Sequence, residues 1–366
     1  MPLRMAIVAF LLCTSTAFTQ DEEPIIDGKS LSDWIKQLRS ENRGLQLRAA
    51  KALAAIPSNA IPQAVKALIP ILKSERENDR FAAAQTLGEY GPLARAAVPY
   101  LLPLLEGTQY ERNRAAAAKA LGQILKDAQP DEEVEKVVSA LTRKISDDYD
   151  PYSDVRREVV RALGMIGPAA KSCIPKLTRV LSEGSHGLGS TQDQEYRLVR
   201  RAAAWTCARM GPLAAQHIDL LITRMHMEGE WCPEVVEAIG AIGPVHSNVI
   251  PNIIDKIESS GRGGDCGALK VAAFAALARF GEKSAPVVPL IRRLLQGPMW
   301  GNDAMMVRIA MMKALPAFGP AAKDAIPEIL AQIRIGKEQD TPEHRTLLEE
   351  ATKAYKAITG QEPPAK

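Results

Sequence analysis

Reading for chemistry begins with the side chains that could carry it. The five histidines, His186, His217, His226, His246 and His344, lie far apart, and none sits in an H-E-x-x-H pattern that would put two ligands on one helix face. The acidic run Asp147-Asp148-Tyr149-Asp150-Pro151-Tyr152-Ser153-Asp154 holds enough carboxylates for a calcium ion. It lacks the glycine and terminal glutamate of an EF-hand loop, so a solvated acidic loop capping the next helix is the simpler reading. Gly261-Arg262-Gly263-Gly264-Asp265 has no Gly-Lys-Ser/Thr ending to cradle phosphate. No cluster offers a nucleophile beside a base, and the chain is read as non-catalytic, with no metal and no cofactor.

Binding chemistry is better represented. Tyr149, Tyr152, Trp231 and Trp300 fall in polar connecting segments, where exposed aromatics serve as anchors for a partner. The alternative for Trp231 and Trp300 is that they fold over the core as lids. A second set, Lys66, Tyr100, Lys176, Arg179, Asp255, Arg292 and Arg293, falls at outward positions of helices that begin with Ile-Pro or Val-Pro. Its charge is mixed with a basic tilt, which suits a protein, a peptide or an anionic wall polymer as well as it suits plain solvent.

These residues are positioned by a repeat. Ala162-Leu163-Gly164-Met165-Ile166-Gly167-Pro168 recurs as Leu87 to Pro92, Ile239 to Pro244 and Leu315 to Pro320, with looser copies at Leu53 to Pro57, Leu121 to Leu125, Cys207 to Pro212 and Leu277 to Glu282. The Gly167 position falls at 56, 91, 125, 167, 211, 243, 281 and 319, at intervals of 32 to 44 residues. A period in this range marks helical solenoids. In each unit an alanine-rich first helix ends at Gly-Pro, where glycine supplies a left-handed C-cap and proline stops the helix. Ile61-Pro62, Val98-Pro99, Ile174-Pro175, Ile250-Pro251, Val288-Pro289 and Ile326-Pro327 then open a second helix, because proline is tolerated in the first turn. Second helices carry apolar residues at i, i+3 and i+4, as in Leu101, Leu104 and Leu105. Seven residues before the template leucine stands Arg80, Arg114, Arg156, Arg200 or Arg308, with Lys270 in a sixth unit. A basic residue repeated once per unit is read as a structural ladder to a carboxylate or helix C-terminus of the preceding unit.

The frame V-R-x-x-A-A-x-A-L-G-x-I-G-P followed by A-I-P-x-L-x-x-L-L resembles the HEAT-repeat family, in particular the short bacterial form seen in phycobilisome-lyase-like repeats. The resemblance covers about Leu45 to Ile358. It implies an all-α, right-handed α-α superhelix of about eight hairpins with terminal caps, whose second helices form a concave wall and whose members act mostly as scaffolds. Unit 3 departs from the frame, lacking Gly-Pro at Leu125 and Ile-Pro before Val137, and unit 5 has Ile218-Asp219 instead of Ile-Pro. HEAT-like deoxyhypusine hydroxylases hold two irons with His-Glu pairs. Here only the reverse, Glu343-His344, occurs. A lyase-like or accessory enzyme of the phycobilisome type stands as the alternative function, and an envelope polysaccharide-binding module as a second.

The ends complete the layout. Residues 1–19 read as a signal peptide, with Arg4 as the basic region, Met5 to Cys13 as the apolar region and cleavage after Ala17 or Thr19. Residues 20–28 read as a disordered linker, 29–359 as the solenoid and 360–366 as a disordered tail. Ser30-Leu31-Ser32-Asp33 is a capping-box-like helix start. Export to a periplasmic or extracellular address follows, and it permits a bridge between Cys232 and Cys266, although separate small hydrophobes are the simpler reading. A formal charge of +3 over 366 residues provides no broad field for nucleic acid. The expected function is a non-catalytic, exported scaffold for a protein or peptide, with no membrane span.

Overall fold

The computed structural model describes residues 23–107, 110–183, 191–227, 233–260, 267–297 and 303–364. The proposed signal segment, His186, Trp231, Trp300, Cys232 and Cys266 lie outside the described residues.

The chain opens with a short antiparallel ladder, β1 (Ile25–Ile26) and β2 (Lys29–Ser30), turned through Asp27 and Gly28, both at positive φ. This corrects the expected linker over residues 23–28. Ile26 is buried, its carbonyl accepts from Trp34 Nε1 at 2.7 Å, and Lys29 Nζ sits 4.7 Å above the Trp34 ring. Helix α1 (Leu31–Leu38) follows, capped by Ser30 Oγ, which accepts from the Asp33 N–H at 3.1 Å.

Eight hairpins come next. They are α2 (Arg43–Ala54) with α3 (Ile61–Leu68), α4 (Glu77–Glu89) with α5 (Val98–Glu106), and α6 (Glu111–Ile124) with α7 (Glu132–Arg143). Then come α8 (Ser153–Ile166) with α9 (Ile174–Ser182), α10 (Thr191–Met210) with α11 (Ile218–Met227), and α12 (Pro233–Ile242) with α13 (Val249–Ser259). The last two are α14 (Gly267–Arg279) with α15 (Val288–Gln296) and α16 (Ala304–Ala314) with α17 (Ile326–Glu338). Helix α18 (Pro342–Thr359) closes the stack, capped by Thr341 at its start and by Gly360 in the left-handed region at its end. Past it, Lys356 pairs with Glu362 at 2.7 Å.

Each first helix packs on the first helix of the next unit, from α4 on α6 through to α16 on α18. The contact is made through small residues. A Cβ placed on Gly122 would meet Ala162 Cα at 2.5 Å, and one on Gly88 would meet Ala120 Cα at 3.0 Å. One on Gly240 would meet Ala276 Cβ at 2.6 Å. The glycine directly after the template leucine thus faces the alanine directly before the leucine of the next unit. Second helices touch one another more sparsely. The template leucines Leu53, Leu87, Leu121, Leu163, Leu277 and Leu315 are completely buried, so one apolar core runs the length of the stack.

The helix stops behave differently from the left-handed caps expected. Gly167 takes φ 75°, ψ −144° and Gly319 φ 62°, ψ −142°. A residue before proline is pushed away from compact ψ values. Combining that with a positive φ leaves a region open only to glycine. After Gly91, Gly167 and Gly211 the chain forms a 3-10 turn rather than a loop, whereas none follows Gly243-Pro244. Unit 3 has no Gly-Pro, and its turn is irregular, with Asp127 at φ 53°.

His217 ends one of these turns and is buried. Its Nε2 lies 2.7 Å from the Ile174 carbonyl of the preceding unit, so the neutral ring carries its proton there, and Nδ1 faces the Thr178 hydroxyl at 3.5 Å. Burial lowers its pKa, outweighing the Ile174 hydrogen bond, which acts the other way.

Two outcomes follow. Gly122→Ala should lower unfolding free energy by roughly 1–3 kcal/mol, because overpacking against backbone exceeds the helix-propensity gain of alanine. Gly107→Ala, whose nearest neighbour would lie at 3.5 Å, should stay close to wild type in the same urea titration. His217 is protonated more readily in the unfolded chain, at about pH 6.5. Its neutral burial therefore contributes stability that is full above that pH and is lost as pH falls through it. The stability gap between wild type and His217→Gln should narrow from about pH 8 to about pH 5.

Candidate binding edge and second-helix wall

The repeated basic residue sits in the fourth position of α4, α6 and α8, as Arg80, Arg114 and Arg156. Arg80 Nη1 donates to the carbonyls of Ser74 and Glu75 at 2.7 and 2.9 Å, at the end of the preceding second-helix segment. Arg156 Nη1 donates to the Asp150 and Pro151 carbonyls at 2.8 and 3.0 Å, and Arg200 Nη1 to the Glu183 carbonyl at 2.7 Å. These contacts realise the ladder expected from the repeat. Arg308 departs from it, donating to Gln332 Oε1 at 2.7 Å. Arg114 also reaches forward, to the Asp150 carboxylate, with Nε at 2.6 Å and Nη2 at 3.2 Å, both groups buried.

Asp150 is thereby a junction. Its carboxylate also accepts the Tyr152 N–H at 3.1 Å, its own N–H donates to the Lys144 carbonyl at 3.0 Å, and its carbonyl holds Arg156. The rest of the acidic run is similarly committed, Asp148 to Lys144 at 2.5 Å and Asp147 to Lys176 at 3.7 Å. Each carboxylate has its own cation, and among the described residues no group of three or more His, Cys, Asp or Glu could hold a metal.

The loop aromatics divide. Tyr149 is half-buried, with Arg179 3.8 Å and Arg156 4.7 Å from its ring centre and its hydroxyl donating to Glu183. Burial, with that hydrogen bond, pushes its phenol well above the usual range. Tyr149 is therefore a structural clamp more than a free anchor. Tyr152 is 50% exposed, with Arg114 5.5 Å beneath its ring. Two tyrosines that the sequence reading passed over join it. Tyr110, 43% exposed, stacks on Arg80 at 5.1 Å, and Tyr196 stacks on Arg156 at 5.7 Å. All three stand four residues before the ladder arginine of their own unit, a Y-x-x-x-R pattern visible in the sequence at 110–114, 152–156 and 196–200.

On the second-helix wall, Lys66, Tyr100 and Asp255 are exposed as expected, and Tyr100 carries Lys73 Nζ 5.2 Å above its ring. The basic tilt is largely neutralised between units. Lys176 pairs with Asp147, Arg179 donates to the Ser146 carbonyl at 3.0 Å, and Arg293 pairs with Glu258. Arg292 Nε sits 3.3 Å from both oxygens of the buried Glu328. Arg143 and Glu106 form a further rung.

The irregular turn of unit 3 opens a cleft of about 660 Å³ lined by Asp127, Pro130, Glu135, Val138, Pro168 and Lys171. Asp127 is committed to Arg209, two units on. The buried thiols of Cys173 and Cys207 are both pushed up to about 12 by burial, which makes them poor nucleophiles.

Comparison with known proteins bears on the fold. A model of HEAT repeats matches residues 31–122 and 98–189. No curated protein matches the chain. In fold it is similar to a crystal structure of importin beta (TM-score 0.66, 15% identity, 90% of this chain and 46% of that one). It is also similar to the Kap95 complex with Nup1 (TM-score 0.67, 12% identity, 90% and 46%) and to Kap121p bound to Nup53p (TM-score 0.61, 15% identity, 92% and 40%). The chain spans less than half the length of these relatives, and at such identity the likeness is one of fold. Among the described residues no helix is long and apolar enough to cross a membrane.

Asp150→Ala should destabilise the protein by about 3 kcal/mol in urea, because it strands the buried Arg114 charge. The double variant Arg114→Met/Asp150→Leu should recover most of that loss. Residues 31–189 match HEAT repeats, the all-α stack they begin runs on to Thr359, and the chain is an all-α, HEAT-like solenoid.

Proposed function

We propose that this protein is a non-catalytic, exported scaffold that holds a protein or peptide partner along the edge where second helices pass to the next first helices. HEAT solenoids in general bind proteins, and two of the similar structures are complexes, of Kap121p with Nup53p and of Kap95 with Nup1. The observation that carries the reading is the placement of Tyr110 and Tyr152 at equivalent N-terminal positions of the stacked α6 and α8, both exposed and both backed by an arginine. Rigid aromatic rings with two rotatable bonds make large contacts at small entropic cost. The second-helix wall is the lesser candidate, since Lys176, Arg179, Arg292 and Arg293 already serve neighbouring units and Tyr100 carries Lys73 of the preceding unit, while Lys66 and Asp255 remain exposed. Export rests on the apolar, small-residue pattern of residues 1–19.

Immobilised protein should capture a specific partner from an extracytoplasmic fraction of the source cells. Tyr110→Ala/Tyr152→Ala should reduce capture about tenfold. Leu213→Ser, on the opposite edge and 49% exposed, should leave it unchanged. Equal capture by all three proteins would move the site elsewhere, and turnover of a small molecule by the purified chain would replace the scaffold reading with the accessory-enzyme alternative.

A further inference from the structure

The tyrosine edge carries a statement about the shape of its partner, which rests on the scaffold reading above. We infer that Tyr110, Tyr152 and Tyr196 form a docking row for a proline-rich segment of a partner protein in the polyproline II conformation.

The row is periodic by construction. Each tyrosine stands four residues before the ladder arginine of its unit, and the three units are consecutive, with α6 on α8 and α8 on α10 in direct contact. Packed helix axes lie about 8–10 Å apart, so equivalent tyrosines advance by that distance per unit. Polyproline II rises about 3.1 Å per residue with three residues per turn, a repeat of about 9.3 Å. One residue in three of such a segment therefore meets one tyrosine, and about seven residues span the row. An extended strand, whose same-face repeat is about 6.8 Å, falls out of step after one unit.

The rings are set before a ligand arrives. Arg80, Arg114 and Arg156 cover one face of Tyr110, Tyr152 and Tyr196 at 5.1, 5.5 and 5.7 Å. Those arginines are themselves fixed, Arg80 by the Ser74 and Glu75 carbonyls, Arg114 by Asp150, and Arg156 by the Asp150 and Pro151 carbonyls. Little side-chain freedom is left to lose on binding. Among the described residues no hydrogen bond engages the hydroxyl of Tyr110 or Tyr152. Each is a donor waiting for an acceptor. A polyproline II segment leaves its carbonyls unpaired, whereas a partner helix uses its own internally. Spacing, flat rings and free donors together select the first.

The test is a fluorescence-anisotropy titration of the full chain with a fluorescein-labelled polyproline peptide. Saturable binding is expected, weakened about tenfold by Tyr110→Ala or Tyr152→Ala and more by the pair. Tyr152→Phe should lose less than Tyr152→Ala, and Leu213→Ser should bind as wild type, with thermal transitions of all variants matched to show that they fold. Absence of saturable binding, or binding undiminished in the double alanine variant, overturns the proposal. So does tighter binding of a chito-oligosaccharide that is lost in the same variants, which would assign the row to sugar rings. If polyproline fails to bind while the partner captured above is still lost on Tyr110→Ala/Tyr152→Ala, the scaffold reading stands and the conformational assignment falls.

Discussion

The contact on which the rest depends is the interlock of glycine and alanine between consecutive first helices. Gly88 on Ala120, Gly122 on Ala162 and Gly240 on Ala276 leave no room for another carbon. An alanine-rich helix has little side chain to bury, so it gains packing only by bringing backbone close to backbone, where many weak dispersion contacts add up. The junction between units 4 and 5 solves the same problem differently. The Trp205 ring lies against Gly164, and Thr206 Oγ1 donates across to the Val160 carbonyl at 2.8 Å. Close stacking of this layer keeps equivalent positions of successive units in step, which is why the N-terminal tyrosines fall in a row.

The second layer is held by different physics. Its helices touch sparsely and are tied by charge pairs from one unit to the next, such as Arg293 with Glu258 and Lys176 with Asp147. Exposed pairs of this kind contribute little individually. Buried ones must be complete, because an ion taken from water without its partner is costly. Asp150 meets that condition by serving units 3 and 4 at once, and the acidic run around it is consequently a joint between units and not a cation site. The first-to-second turn of unit 3 has neither Gly-Pro nor a 3-10 turn, and the cleft beside it is the local result.

Much of this was legible in the residues. The Gly-Pro stops, the Ile-Pro starts and the recurring leucine placed most of the hairpins, units 3 and 5 keeping only part of that frame, and the once-per-unit arginine was readable as a ladder. The form of the helix stop was not, since a C-cap glycine ahead of proline must satisfy two backbone restrictions together and takes neither one's usual conformation. The start of the chain was misjudged because Ile25-Ile26 and Lys29-Ser30 are too short to show alternation. Their ladder owes its place to the Trp34 hydrogen bond to Ile26.

By itself, the sequence determined the two-helix unit, the number of units and the apolar core, because each of these is set by backbone preferences and burial within about forty residues. Only the tertiary structure decided which charges remain free. Lys176, Arg179, Arg292 and Arg293 look alike as outward basic residues, yet all four engage groups of a neighbouring unit, and reach across units is not written in spacing along one helix. The same holds for the tyrosines. Tyr149 and Tyr152 stand three residues apart in one loop, and the fold clamps the first between two arginines while leaving the second half in solvent.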